Sequence, residues 1–241
     1  MRGDASAPGA FSTLVLWDID NTLLYTGGAG SVGMRLAFRD LYGIDDAFGK
    51  VEFSGRTDTA IFRDCARMHG IAEPMLEAEQ ARFVDAYIPH LAAALIETRG
   101  TLMPGVAPLL DALSGRDDVQ QALGTGNFRR GGELKLRHYG IDHHFPEMPG
   151  GFGEDSESRD EMIGAAISRA IARLADGARP RVVVIGDTPH DVTAARANGA
   201  YALGVATGRN SVEELLACGA HAAVDDLTDR DRVLGIVLEG R

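Results

Sequence analysis

The 241-residue chain sets 24 Lys and Arg against 35 Asp and Glu, a net charge of -11, and is 45% hydrophobic. The acid excess argues against nucleic acid or an anionic membrane as partner, without excluding a local basic pocket. Two cysteines outside any C-x-x-C pattern, Cys65 and Cys218, and no apolar run near the ~20 residues that span a bilayer, point to a cytoplasmic protein with reduced thiols.

Residues 1 to 12 are small and polar, have no signal-peptide-like apolar stretch, and are expected to be poorly ordered. Leu14-Val15-Leu16-Trp17 is an apolar run without alternation, the pattern of a strand buried on both faces. It ends in Asp18-Ile19-Asp20-Asn21-Thr22. If strand geometry persists, the two carboxylates point the same way from the C-terminal edge, where open α/β sheets bind ligands. Such a pair can supply a nucleophile or metal ligand beside a general acid, or simply close the strand with a turn.

Gly28, Gly30 and Gly33 make a formal G-x-G-x-x-G that would suit an NAD(P)-binding oxidoreductase. A dinucleotide loop must leave its strand directly, however, and about ten residues intervene, so a flexible hinge is the other reading. From Ser31 to about Arg99 the spacing predicts helices. One stops at Gly43, a second is capped by Thr57 and stops at Gly70, and a third has Pro74 in its first turn and is kinked or divided by Pro89. In the loop before the second, Lys50 and Arg56 either bind the far end of a ligand or are solvated surface charges. His69 and His90 have no ligand-like spacing.

Val106 to Leu113 reads as helix and Val119 to Leu123 as strand, ending in Gly124-Thr125-Gly126-Asn127, a loop able to turn N-H groups toward an anion. Arg129 to Tyr139 is helix. His143 and His144, side by side, are not expected to converge on one metal. Ser158 and Glu161 form a capping box for a helix whose apolar face extends to Leu174, placing Arg159 in its first turn. Val182 to Ile185 is a second fully apolar strand, ending in Gly186-Asp187-Thr188-Pro189-His190-Asp191. Helix Val192–Asn198, strand Tyr201–Val205, helix Ser211–Cys218 with Glu214 completing its capping box, and strand Ala222–Val224 follow. The alternation predicts an α/β fold, a doubly wound parallel sheet, interrupted after its first strand by a helical insert.

The motifs at Asp18 to Thr22, at Thr125, and at Gly186 to Asp191 together resemble those of the haloacid dehalogenase-like superfamily, over about residues 13 to 225. The resemblance implies a Rossmann-like core, residues 1 to 26 and 101 to 241, with residues 27 to 100 as a helical cap of the phosphoglycolate phosphatase type. It implies a phosphatase acting on a small phosphorylated metabolite. Asp18 would be the nucleophile that becomes an aspartyl phosphate and Asp20 the general acid and base. Thr125, with Gly126 and Asn127, would hold the phosphoryl group. Mg2+ would lie on Asp18, the Asp20 carbonyl and Asp187, with Asp191 as ligand or neighbour. The superfamily's Lys-Pro motif is absent. Arg159 takes its role in this reading, and Lys135, ~9 Å along its helix, is the rival. A β-phosphoglucomutase-type mutase is the alternative outcome.

Overall fold

Leu14, Val15, Leu16 and Trp17 are completely buried, and the strand they form, β1 (Thr13–Trp17), is the middle of the molecule in a computed structural model describing residues 11–49, 51–72, 75–174 and 179–240. The Lys50 and Pro74 expectations, and most of the expected N-terminal tail, lie outside those residues. β1 pairs in parallel with β4 (Val119–Gly124) on one side and β6 (Arg181–Gly186) on the other. With β5 (Gly150–Gly151), β7 (Tyr201–Val205) and β8 (Ala222–Val224), they make one parallel sheet in the order β5-β4-β1-β6-β7-β8. The expected α/β class is therefore the observed one.

Register does the functional work. Trp17 stands level with Leu123 and with Ile185, so the residues that follow all three strands emerge together where the strand order reverses. One sheet face packs Val15, Trp17 and Ile185 with α4 (Val106–Ser114) and α9 (Arg230–Glu239). The other packs Leu14 and Leu16 with α6 (Arg159–Ile171), α7 (Pro189–Ala197) and Leu215 of α8 (Val212–Ala217).

Between β1 and β4 the chain makes an antiparallel pair of two-residue strands, β2 (Leu24–Tyr25) and β3 (Thr101–Leu102), through which α1 (Ala29–Tyr42), α2 (Asp58–Met68) and α3 (Leu76–Glu97) leave and return. These helices have an apolar cluster of their own, built around Phe38, Phe62, Phe83 and Tyr87, which also takes in Phe128 from the loop after β4. Strands of two residues are too short to carry a period, so neither pair member is legible in the sequence.

Several local expectations change. α3 runs unbroken through Pro89. Pro89 lies on the exposed face, where water can take the carbonyl it frees, while Phe83, Tyr87 and Leu91 stay buried on the other face. The Ser158–Glu161 capping box does not form: Ser158 makes no side-chain cap bond. Instead the Ser156 hydroxyl donates to Glu161 at 2.7 Å and accepts from the Ser158 N-H at 2.9 Å. The box at Ser211 and Glu214 does form.

Gly30 and Gly33 lie inside α1, which follows β2 rather than a strand of the main sheet. A dinucleotide loop has no strand to leave there. A Cβ at Gly33 would sit 3.0 Å from both Leu91 N and Tyr87 Cε2, so this glycine is where α1 and α3 press together. Gly33→Ala gains about 1 kcal/mol of helix propensity but overpacks a contact with backbone, at a cost of about 1–3 kcal/mol. The expected net result is a lower denaturant midpoint, with NAD(P) giving no change in melting temperature. A Gly33→Ala protein as stable as the parent would sink this packing account. The glycines that flank the helical segment are crowded too, since a Cβ at Gly27 would meet Arg99 O at 2.8 Å and one at Gly100 would overlap Tyr25 O and the Tyr139 hydroxyl.

Candidate active site

β1 ends at Trp17, so Asp18 and Asp20 sit in the loop beyond it. Asn21 takes a left-handed turn, φ 60, a conformation asparagine tolerates, and its N-H bonds Leu24 O at 2.8 Å. Each acid then meets a different cation.

Asp18, 6% exposed, accepts from Arg159 Nη2 at 2.7 Å on Oδ1. Among the described residues its Oδ2 accepts nothing. Arg159, in the first turn of α6, also gives Nε and Nη2 to Asp191 Oδ1 at 2.9 and 2.6 Å. Asp191 Oδ2 takes the N-H and hydroxyl of Thr188 at 3.1 and 2.6 Å, closing a capping box that starts α7. Both oxygens of Asp191 thus have two donors, which is all that a carboxylate's lone pairs accept.

Asp20 Oδ2 accepts from Lys135 Nζ at 2.5 Å and from Asn127 Nδ2 at 2.8 Å. Lys135 lies in α5 (Arg129–His138), seven residues after Phe128 N-caps it. Its buried side chain runs back toward the helix start, as helical side chains do, and so covers the distance that rise along the axis seemed to forbid. Its ammonium also reaches Asn127 Oδ1 at 2.5 Å. Arg159 and Lys135 thus both reach the site, Arg159 on Asp18 and Asp191 and Lys135 on Asp20. Thr125 is fully buried behind Asn127, whose Nδ2 donates to Thr125 Oγ1 at 2.9 Å.

Asp187 follows β6 and is 3% exposed. Its only side-chain donor among the described residues is the Thr22 hydroxyl, at 3.5 Å. Burial, then Asp18 and Asp191, push its pKa from 3.8 up to about 8 against the pull of Arg159. Asp18 is pushed up to about 6, by burial first, opposed by Arg159, with Asp191 and Asp20 adding to the rise. Ligand atoms of Asp18, Asp187 and Asp191 lie within 4.8 Å of one another.

The helical segment contributes a residue that sequence reasoning missed. Asp58, first in α2, accepts from the Phe128 N-H at 2.8 Å, and its own N-H donates to Gly126 O at 2.7 Å. Burial pushes it up to about 7, with Lys135 opposing. The Thr57-Asp58 start of a capped helix was legible in the sequence, but not that it would dock on a loop seventy residues away. Gly126 permits the approach, since a Cβ there would stand 2.4 Å from Arg56 O. Arg56 borders the site, and its guanidinium pairs with Asp64 at 2.6 Å.

These groups line a cavity of about 290 Å³. Asp18, Asp20, Asp187, Lys135 and Arg159 are on its walls together with Gly126 and Asn127, whereas Thr125 is not. A larger hollow of about 850 Å³ lies at the β5 edge against Phe11, Met148 and Arg169, with none of the acids. Chemistry, rather than size, marks the smaller one as the candidate site.

A family model described as haloacid dehalogenase-like hydrolase matches residues 13–199. Tyrosine-protein kinase PtkA of Mycobacterium tuberculosis is 29% identical over 202 residues, 81% of this chain, and the chain spans 62% of that relative's length. Among solved structures, a hydrolase from Pseudomonas syringae superposes with a TM-score of 0.65 at 18% identity, over 94% of this chain and 99% of that one. A predicted phosphoglycolate phosphatase from Haemophilus somnus gives 0.61 at 18% identity, over 92% and 97%.

Proposed function

Since the chain belongs to the haloacid dehalogenase-like hydrolase family, we infer that it is a magnesium-dependent cytoplasmic phosphatase that hydrolyses a small phosphorylated metabolite through an aspartyl phosphate on Asp18. The observation that carries this reading is the pairing of each acid with its own cation: Arg159 holds Asp18 Oδ1, and Lys135 and Asn127 hold Asp20 Oδ2. Each carboxyl keeps one oxygen without a hydrogen bond among the described residues.

Asp18 Oδ2 attacks phosphorus while the bond from phosphorus to the ester oxygen breaks, and Asp20 gives its proton to that oxygen. In the second half a water attacks phosphorus, Asp20 takes the proton back, and the bond to Asp18 breaks to release inorganic phosphate. Arg159 and Lys135 balance the equatorial phosphoryl charge, and Gly126 and Asn127 border it. Asp191 aims Arg159. With every lone pair occupied, it serves as a positioning residue, not a direct metal ligand. Residues 27–100 act as a cap over a core of residues 1–26 and 101–241, with Asp58 as the contact that seats it.

The donor set fits magnesium, a hard cation that takes carboxylate and carbonyl oxygens. Among the described residues Asp187 is a buried carboxylate without a salt-bridge partner, and a Cβ at Gly208 would stand 1.9 Å from its Oδ2, so the chain leaves that oxygen clear. Asp18, Asp187 and the Asp20 carbonyl would hold the ion, which when bound neutralises the acids and withdraws electron density from the phosphoryl group.

The test is a panel of phosphomonoesters with Mg2+ or with EDTA. Phosphate release that requires the metal is expected. Glucose 6-phosphate formed from β-glucose 1-phosphate would replace hydrolysis by a mutase. Because of the kinase relative, ATP with a tyrosine peptide belongs in the panel, and phosphotyrosine there would replace it by a kinase.

A further inference from the structure

At the other end of the strands, where α4 delivers the chain to the start of β4, three groups come together that the reaction does not use. Asp111 lies in α4, and His143 and His144 lie in the 3-10 turn Asp142–His144 after α5. Neighbouring histidines are not expected to converge on one metal, yet in this tight turn their ring centroids are 4.0 Å apart. Ligand atoms of Asp111, His143 and His144 lie within 4.8 Å of one another. We propose that Asp111, His143 and His144 form a second metal site, for a zinc-like divalent cation that staples α4 to the turn after α5.

Three observations support this assignment. First, His144 Nε2 stands 3.5 Å from Asp111 Oδ1. That is long for a charge-assisted hydrogen bond, but bonds of ~2.0–2.1 Å at the tetrahedral angle put two ligand atoms about 3.3–3.4 Å apart.

Second, His144 is oriented from behind, as a ligating histidine is. Its side chain is only 5% exposed, and its Nδ1 is 2.9 Å from Ser114 Oγ. That hydroxyl in turn accepts from Gln121 Nε2 at 2.8 Å, and Gln121 Oε1 accepts from Trp17 Nε1 at 3.1 Å. The tryptophan N-H can only donate, so it fixes the amide and leaves the serine oxygen a lone pair for an Nδ1-H. In that tautomer Nε2 faces Asp111 with its lone pair available to a metal.

Third, His143 and Asp111 are exposed, so an ion can enter from solution. Two imidazole nitrogens and one carboxylate oxygen, completed by water, suit zinc and its spectroscopic stand-in cobalt. They do not suit magnesium, which prefers oxygen alone.

The experiment titrates Co2+, and separately Zn2+, into the whole protein in excess Mg2+, comparing it with His143→Ala and Ser114→Ala. One equivalent of tetrahedral cobalt absorption and a zinc-dependent rise in melting temperature are expected for the parent. His143→Ala should lose both while its metal-free melting temperature and its phosphate release stay unchanged. Ser114→Ala, which keeps all three ligands, should bind about 10–100-fold more weakly. No tetrahedral signal in the parent, or the same signal in His143→Ala, overturns the proposal. Neither result bears on hydrolysis at Asp18.

Discussion

Asp18→Asn is expected to lower kcat by at least about 10⁴-fold, the scale on which removing a covalent nucleophile acts. The amide is nearly isosteric but cannot attack phosphorus, and it leaves Asp191 as the one anionic partner of the Arg159 guanidinium among the described residues. Because Asp18 is pushed up to about 6 in the metal-free protein, ionising it there is unfavourable, so the variant should fold at least as stably as the parent in EDTA. That separates loss of chemistry from loss of structure. Rapid quench with a labelled substrate should trap an acid-stable, base-labile phosphoprotein with the parent and none with the variant. Parent-like turnover by Asp18→Asn would end the covalent account, whatever the panel of substrates showed.

The second large effect concerns Asp187. In the metal-free protein its folded pKa is about 8 against an ordinary 3.8. Between those values the folded state keeps a proton that the unfolded state has lost, so ΔG of unfolding falls as pH rises from about 4 to about 8. Asp18, at about 6, and Asp58, at about 7, tilt the curve the same way over shorter ranges. The metal-free parent should therefore be least stable on the alkaline side, and Mg2+ should restore it there. Asp187→Asn removes the largest contribution. At pH 8 in EDTA its melting temperature should exceed the parent's by roughly 5–10 °C, on the scale of a few kcal/mol for a chain this size, with a flatter pH profile and no rise on adding Mg2+. Calorimetry over pH 5 to 8, with and without Mg2+, reads all three. An Asp187→Asn protein still stabilised by Mg2+ as the parent is would remove Asp187 from the metal assignment.

How much of this was legible in the sequence depends on how far the cause lies from the residue. β1 and β6 announce themselves because strands buried on both faces need unbroken apolar runs, and the loops leaving them carry the acids whatever else the chain does. β2, β3 and β5 are two residues each, too short for any periodicity, and Gly150–Gly151 has no strand propensity to read. At the site, Asp18, Asp20 and Asp187 could be named from local pattern, but their partners could not. Lys135 reaches Asp20 only because α5 starts where it does and its side chain runs backward. Asp58 arrives from a different layer. Asp111 joins the two histidines only through a 3-10 turn that nothing in Asp142-His143-His144 requires. The failed Ser158 box shows the opposite case, a good local signal displaced by a serine two residues earlier.

The carboxylate of Asp191 answers to two masters, the first turn of α7 and the guanidinium of Arg159. Asparagine at this position could still receive the Thr188 donors but would strip Arg159 of one of its two counter-charges, so drift here faces two filters at once. Anyone transplanting this reactive centre into another scaffold would have to move the Thr188 to Asp191 turn and the start of α6 as a single cassette, because the aim of one guanidinium is stored in a helix that it does not belong to.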